Sequence, residues 1–232
     1  KKMKILTDLA NLLTENEKSI TTSLLKIKVL ASRLKNDNLY KWINKELSGY
    51  QTKGELPEYR ISGCILMGDF QNGRLLARKQ TLATLDLPEF VKEFVSNIEF
   101  YQSISVLESY LKTKGSKSLK YPVPNEMLGV LSANYHKMGN HDLTIINAHK
   151  EVGIGAVEQI LAEVRNFALD MILKLEDEFG YQIDLEELIQ NKQQVNNIIQ
   201  NVMRQTNITN TGDGNVVNTG NNSTLNIDIT VK

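Results

Sequence analysis

Apolar residues recur at helical steps of three and four through most of this chain. Met3, Leu6, Leu9, Ala10 and Leu13 predict a first helix, and Thr14-Glu15-Asn16-Glu17 reads as a capping box that opens a second. In that second helix Ile20, Leu24, Ile27, Ala31 and Leu34 form one apolar stripe, opposite a polar, lysine-rich face. A third helix is expected from about Asp37, turning Leu39, Trp42, Ile43 and Leu47 inward and ending at Gly49 in a left-handed cap. Pro57 marks a loop. Residues 61–68 and 74–84 then read as two strands joined by a tight turn at Asn72-Gly73.

Pro88 suits the first turn of a further helix, whose stripe Val91, Phe94, Val95, Ile98 and Tyr101 runs on through Ile104, Leu107 and Leu111. Lys112, Lys114, Lys117 and Lys120 follow in a Gly/Ser loop. Pro124 opens a shorter helix ending near Gly139, and Leu143, Ile145 and Asn147 point to a strand before the Gly153/Gly155 break. Val157, Ile160, Leu161, Val164, Ala168, Met171, Leu175 and Phe179 predict a long amphipathic helix over 156–179, stopped by Gly180 and laid across the N-terminal helices.

Asp184 and Glu187 cap a last helix in which Leu185, Leu188, Val195, Ile199 and Val202 fall at heptad a and d positions, interrupted by Lys192. The pattern changes at Thr206. The final 27 residues hold seven Asn, six Thr and three Gly and no aromatic residue. Within them Asn210–Val217 is echoed by Asn218–Leu225, and Leu225, Ile227, Ile229 and Val231 alternate with polar residues as a half-buried strand would.

Bulk composition narrows the classes. The 232 residues carry 27 basic and 27 acidic side chains, so no net field draws in nucleic acid or an anionic membrane. No run approaches the roughly 18 apolar residues of a membrane span, and no signal-type stretch follows Lys1-Lys2-Met3-Lys4. A single cysteine, Cys64, excludes an intrachain disulfide and a thiolate zinc cluster and fits a reducing, cytoplasmic setting. The chain opens at Lys1 without an initiator methionine, which admits a missing N-terminal segment.

Candidate chemistry is sparse. His136, His141 and His149 stand five and eight residues apart, so no two share a helical turn as a metal pair would. Gly153-Ile154-Gly155 before a helix is too short a pattern for a phosphate loop. The four lysines at 112–120, flanked by Tyr110 and Tyr121, offer phosphate contacts or simply a solvated tip. No cofactor or metal is expected.

The most specific string is Trp42-Ile43-Asn44-Lys45-Glu46-Leu47-Ser48-Gly49-Tyr50, followed by Leu56-Pro57-Glu58-Tyr59-Arg60. It resembles the W-x-x-x-E-L-x-G-Y … L-P-x-Y-R signature of the AbiTii domain, named from an abortive-infection phage-resistance protein. Ala31 and Leu34 are similar to the family's L-x-x-A-x-x-L helix, with Lys28 departing from its first leucine, and Ile160–Arg165 looks like a later helix of the family. The likeness covers most of 5–180, loosely over 85–150, and leaves the tail outside. It implies a role in antiviral defence and brings no catalytic residues. On physical grounds Trp42 and Leu47 are core, Gly49 is a cap, Pro57 a turn, and Tyr59 and Arg60 a loop lock. Arg60 is expected to bond a carboxylate, Glu46 or Glu58, or a carbonyl from the N-terminal helices.

The fold expected is α+β and mostly α-helical: a helical bundle with a small β-hairpin or sheet over 1–180, an amphipathic oligomerisation helix over 181–205 and a β-structured Asn/Thr/Gly-rich tail over 206–232. The motif residues are Trp42, Glu46, Gly49, Tyr50, Pro57, Tyr59, Arg60 and Arg165. Self-association, as a trimer for preference, is assigned to Leu188, Val195, Ile199, Val202, Val216, Val217, Leu225, Ile227 and Ile229. A flexible linker and an amyloid-like Asn stack are the competing readings of the tail. The leading function is a non-enzymatic, self-assembling component of phage defence that meets another defence protein or a phage component. The alternatives are an enzyme acting on a nucleotide or nucleic acid through a pocket near Glu46, Tyr59 and Arg60, and a nucleic-acid binder using Lys112, Lys114, Lys117 and Lys120. Membrane is not expected as a partner, and nucleic acid is disfavoured.

Overall fold

The computed structural model describes residues 4–15, 18–113, 115 and 117–205. Three helices open it: α1 (Ile5–Thr14), α2 (Ile20–Arg33) and α3 (Asp37–Ser48). Two single 3-10 turns, Lys53–Glu55 and Glu58–Arg60, lead to β1 (Ile61–Gly63), β2 (Ile65–Asn72) and β3 (Leu75–Thr81). Next come α4 (Glu89–Ser96), β4 (Asn97–Glu99), α5 (Ile104–Lys112), β5 (Ser118–Pro122), α6 (Asn125–Lys137) and β6 (Leu143–Gly153). Helices α7 (Gly155–Phe179), α8 (Leu185–Gln190) and α9 (Lys192–Gln205) close the described chain. The fold is α+β and mostly helical, as the periodicity predicts.

Two apolar clusters divide the interior. The larger is helical and is organised by α7, whose 25 residues span about 37 Å. Val157, Ile160, Val164, Ala168, Met171 and Leu175 are buried along it, and Phe167 and Ile172 join them. Helices α1, α2, α5 and α9 lie against it. The smaller cluster fills the space between the four-stranded antiparallel sheet β3-β2-β6-β5 and helices α4 and α6, with Leu66, Val91, Val95, Leu131, Leu143 and Ile145 at its centre. A separate two-stranded ladder pairs β1 with β4.

Several expectations are corrected. The continuous helix read from Pro88 to Leu111 is broken, because Asn97–Glu99 extend to pair with Ile61–Gly63 and the Phe100 amide donates to the Arg60 carbonyl at 2.8 Å. The strand read over 61–68 is likewise two strands, parted at Cys64, whose amide turns aside to the Ser96 carbonyl. The lysine-rich 112–120 segment is not all loop: β5 begins at Ser118 and forms the edge of the sheet beside β6. In β6 the pairing skips Ile146, so burial runs Leu143, Ile145, then Ala148 and Val152. That bulge puts Asn147 on the open face, where its Nδ2 donates to Asp69 at 2.9 Å.

The C-terminal helices also differ from expectation. Residues 185–205 form two helices parted at Asn191, and Leu188, Val195, Ile199 and Val202 are buried in the same core as α1 and α7. Asn196 reinforces this docking, accepting from the Asn36 side chain at 3.0 Å. The apolar row read as an intermolecular seam is therefore spent inside the chain, and the core continues past the boundary expected at 180/181. The capping box of Asp184 and Glu187 is present as predicted. Val216, Val217, Leu225, Ile227 and Ile229, with the rest of 206–232, lie outside the described residues.

The N-terminus of α2 is held from a distance. Thr14 is the last residue of α1, not the cap of α2; Ser19 takes that place and makes no capping bond with its own side chain. Glu108 of α5 supplies the acceptors, taking the Ile20 amide at 2.6 Å and the hydroxyls of Ser19 and Thr21 at 2.7 and 2.9 Å. A carboxylate at a helix N-terminus also favours the helix dipole. Glu108→Ala is expected to lower stability by about 2 kcal/mol, the upper end of cap losses, in urea unfolding. A loss under about 0.5 kcal/mol would mean that water replaces the carboxylate at this end.

Candidate functional site

The motif residues converge on one buried network. Helix α3 carries Trp42 and Glu46 one turn apart on its inner face, and Gly49 and Tyr50 follow its end. Gly49 has φ +88 and ψ 168, outside the left-handed cap region and open to glycine. A Cβ there would lie 2.6 Å from the Tyr101 carbonyl oxygen, and the next amide, Tyr50, donates to that same oxygen at 2.8 Å. Glycine thus lets the end of α3 press against the chain between β4 and α5.

Pro57 sets the turn that delivers Tyr59 and Arg60, its carbonyl accepting the Arg60 amide at 2.9 Å. Arg60 and Glu46 are both fully buried and form an ion pair through the Arg60 Nη2 and Glu46 Oε2. The other guanidinium nitrogen, Nη1, donates to the carbonyls of Gln102 at 2.6 Å and Phe100 at 3.2 Å. Glu46 Oε1 accepts from the hydroxyls of Tyr50 at 2.5 Å and Tyr59 at 2.7 Å. Trp42 Nε1 donates to the Tyr59 hydroxyl at 3.1 Å, and the Trp42 ring meets Phe167 edge-on, centroids 4.5 Å apart. The Tyr50 ring lies 5.1 Å from the guanidinium carbon. Arg60 Nε and Gln102 Oε1 are buried without a partner among the described residues.

Burial pushes the phenols of Tyr50 and Tyr59 well above the ordinary tyrosine range, and the neighbouring Glu46 carboxylate adds to the shift. Both therefore stay protonated and act as donors. Of the two acids offered as partners for Arg60, Glu46 is the one used, and Glu58 is exposed.

Beside this network lies a cleft of about 320 Å³, bounded by the Pro57–Ser62 stretch on one side and by Ala156, Gln159, Ile160 and Glu163 of α7 on the other. Of the three residues that the enzyme alternative places on a pocket, only Tyr59 lines this cleft; Glu46 and Arg60 are fully buried. Gln159, Glu163 and Ser62 were not among the predicted site residues, although Glu163 falls inside the 160–165 string that carries the family likeness.

The remaining candidates lie elsewhere. Arg165 donates to the carbonyls of Leu13, Glu15 and Lys18 at 3.3 to 3.4 Å and so ties the α1–α2 connection to α7. His136 contacts the Leu143 carbonyl at 2.6 Å, His149 lies 3.4 Å from Glu151, and His141 is exposed. The Ile154 amide, in the glycine pair before α7, donates to the Lys117 carbonyl. Lys112 and Lys117 are exposed, Lys120 lies 3.6 Å from Glu151, and Lys114 is outside the described residues. Among the described residues no group of three or more His, Cys, Asp or Glu side chains is placed to hold a metal ion. No helix there is long and apolar enough to cross a membrane.

The model of the AbiTii family matches residues 4–201, the helical core, the sheet, the buried network and the cleft together. The chain belongs to the AbiTii family. The match runs through α8 and into α9, in agreement with a core that includes both. No match was found among curated proteins or among solved structures. Membership in AbiTii points to abortive-infection defence.

Two outcomes test the network. Arg60→Met leaves Glu46 buried and unpaired and is expected to cost about 3–5 kcal/mol in urea unfolding; a loss below about 1 kcal/mol would mean the pair is solvated in solution. In an alkaline titration followed by tyrosinate absorbance, Tyr50 and Tyr59 are expected to ionise only as the protein unfolds. Their folded values exceed the unfolded value of about 10, so their stabilisation is full below that pH and drains away as pH rises further. Reversible ionisation of all the tyrosines before unfolding would contradict the burial described.

Proposed function

We propose that this chain is a component of antiphage defence that acts by binding other proteins, in an assembled form held by its C-terminal tail. The observation that carries the defence role is the family match over residues 4–201. The motif's buried acid and base support an interaction role over a reaction, since Glu46 and Arg60 neutralise each other out of reach of solvent. A general acid or base needs access to the proton it moves. What remains open beside the motif is the cleft, with Tyr59 and the exposed Glu58 and Glu163 on it.

Self-association rests on the tail alone. With Val195, Ile199 and Val202 taken by the core, the argument for three copies goes with them. The alternation of Leu225, Ile227, Ile229 and Val231 still supports pairing with a like segment, because a lone strand leaves a row of unpaired backbone groups. Sedimentation velocity on the full chain at tens of micromolar, on the order of concentrations at which weak assemblies populate, should give a discrete oligomer that falls to a monomer when 206–232 are removed. The shortened chain should also lose protection against phage in a plaque assay. A full chain that sediments as a monomer, or a truncated one that protects fully, would refute the assembly part of the proposal.

A further inference from the structure

The cleft beside Tyr59 has a chemical preference that the defence role does not specify. Its volume of about 320 Å³ is at the small end of ligand pockets, roughly 300–1,000 Å³. Pro57, Ile61 and Ile160 give it apolar surface, and Glu58 and Glu163 line it, one from the turn before β1 and one from α7. Among the described residues no basic side chain lines it. Neither carboxylate has a hydrogen-bond or ion partner among the described residues, and both are exposed.

Two opposing effects set the sign of the charge in the cleft. The start of α7 lies along it, and a helix N-terminus carries about half a positive charge. Two carboxylates carry about two negative ones, so the cleft favours a cation. Tyr59 adds to this. Its hydroxyl is committed to Glu46 and Trp42, so what it offers the cleft is its ring, and an aromatic ring attracts cations.

We propose that this cleft binds a single organic cation with an apolar stem, an alkylguanidinium or alkylammonium group. The stem lies against Ile61 and Ile160, and the charged head lies between Glu58 and Glu163 beside the Tyr59 ring. Such a group is carried both by small free amines and by arginine or lysine side chains of another protein. The inference stands apart from the defence reading, since the cleft binds or does not bind its cation whatever the tail does.

Trp42 is the only tryptophan and donates to the Tyr59 hydroxyl, so its fluorescence reports on the cleft wall. The full chain is titrated with n-butylguanidinium, with its uncharged isostere n-butylurea and with the tripeptide acetyl-Gly-Arg-Gly-amide, with calorimetry as a second readout. n-Butylguanidinium is expected to give a saturable change and n-butylurea none. Glu58→Gln and Glu163→Gln should each weaken binding about fivefold, the effect of about 1 kcal/mol for one solvent-exposed charge pair. Their melting curves should be unchanged, and Glu126→Gln on the exposed start of α6 should bind as the parent does. Tighter binding of the tripeptide than of n-butylguanidinium supports a protein's arginine as the source, and equal or weaker binding supports a free amine. Equal binding of the guanidinium and the urea, no heat and no fluorescence change up to roughly 10 mM guanidinium, a ceiling for weak specific binding, or full affinity in both glutamine variants would overturn the proposal.

Discussion

The buried Glu46–Arg60 pair is the constraint on which the centre of this molecule is arranged. Two charges in an apolar interior cost several kcal/mol each unless their bonding capacity is filled. Here most of it, the Arg60 Nε apart, is filled by groups from three separate stretches of chain: Glu46 and Tyr50 at the end of α3, Tyr59 and Arg60 in the turn before β1, and the carbonyls of Phe100 and Gln102 between β4 and α5. Each stretch must therefore be in place for the others to be tolerated. Gly49 makes the closest of these approaches sterically possible, and the β1–β4 ladder holds the second and third stretches in register. The cleft inherits its rigid wall from the same network, because Tyr59 is fixed at its hydroxyl from two sides.

Much of this was legible in the sequence where local pattern and tertiary packing agree. The long helix ending at Gly180, the stripes of α1 to α3, the hairpin at Asn72-Gly73 and the Asp184/Glu187 capping box all follow from residue spacing alone. So did the burial of Trp42 and the pairing of Arg60 with a carboxylate. The failures fall where a distant segment decides. Ile98 and Tyr101 continue the helical spacing of α4, yet Asn97–Glu99 extend because β1 offers an unpaired edge there. The a/d row of 185–202 has the same spacing whether it faces another chain or its own core, and periodicity cannot tell the two apart. Glu108 carries no mark in its own neighbourhood of capping a helix almost ninety residues away.

The cleft was half legible for a related reason. The motif marked the neighbourhood of Tyr59, and the enzyme alternative placed Glu46 and Arg60 on open space, against the loop lock expected on physical grounds. Physical chemistry assigns them the opposite place. A carboxylate and a guanidinium that find each other and enough further partners can be sealed, whereas Glu58 and Glu163, without such partners among the described residues, lie at the surface. The residues that line the cleft from α7 are one to eight positions past Gly155, the last glycine of the break, where spacing showed only an amphipathic helix.

A buried ion pair can often be replaced by apolar side chains of similar volume without loss of stability. That equivalence does not extend to this site. Between β4 and α5 the chain leaves regular structure, and the carbonyls of Phe100 and Gln102 turn inward, where the Arg60 guanidinium serves both. An apolar pair in place of Glu46 and Arg60 would remove the charges but leave these two acceptors buried without that donor, a penalty of about 1–3 kcal/mol each. It would also strand the hydroxyls of Tyr50 and Tyr59, both of which donate to Glu46. Arginine has five N–H donors in a planar fork, enough to serve a carboxylate and two carbonyls at once. The ion pair is thus retained by the backbone it satisfies more than by its own Coulomb attraction. This accounts for a motif that is the most specific string in the sequence and behaves as a structural bracket in the fold, with the open chemistry displaced to the cleft at its side.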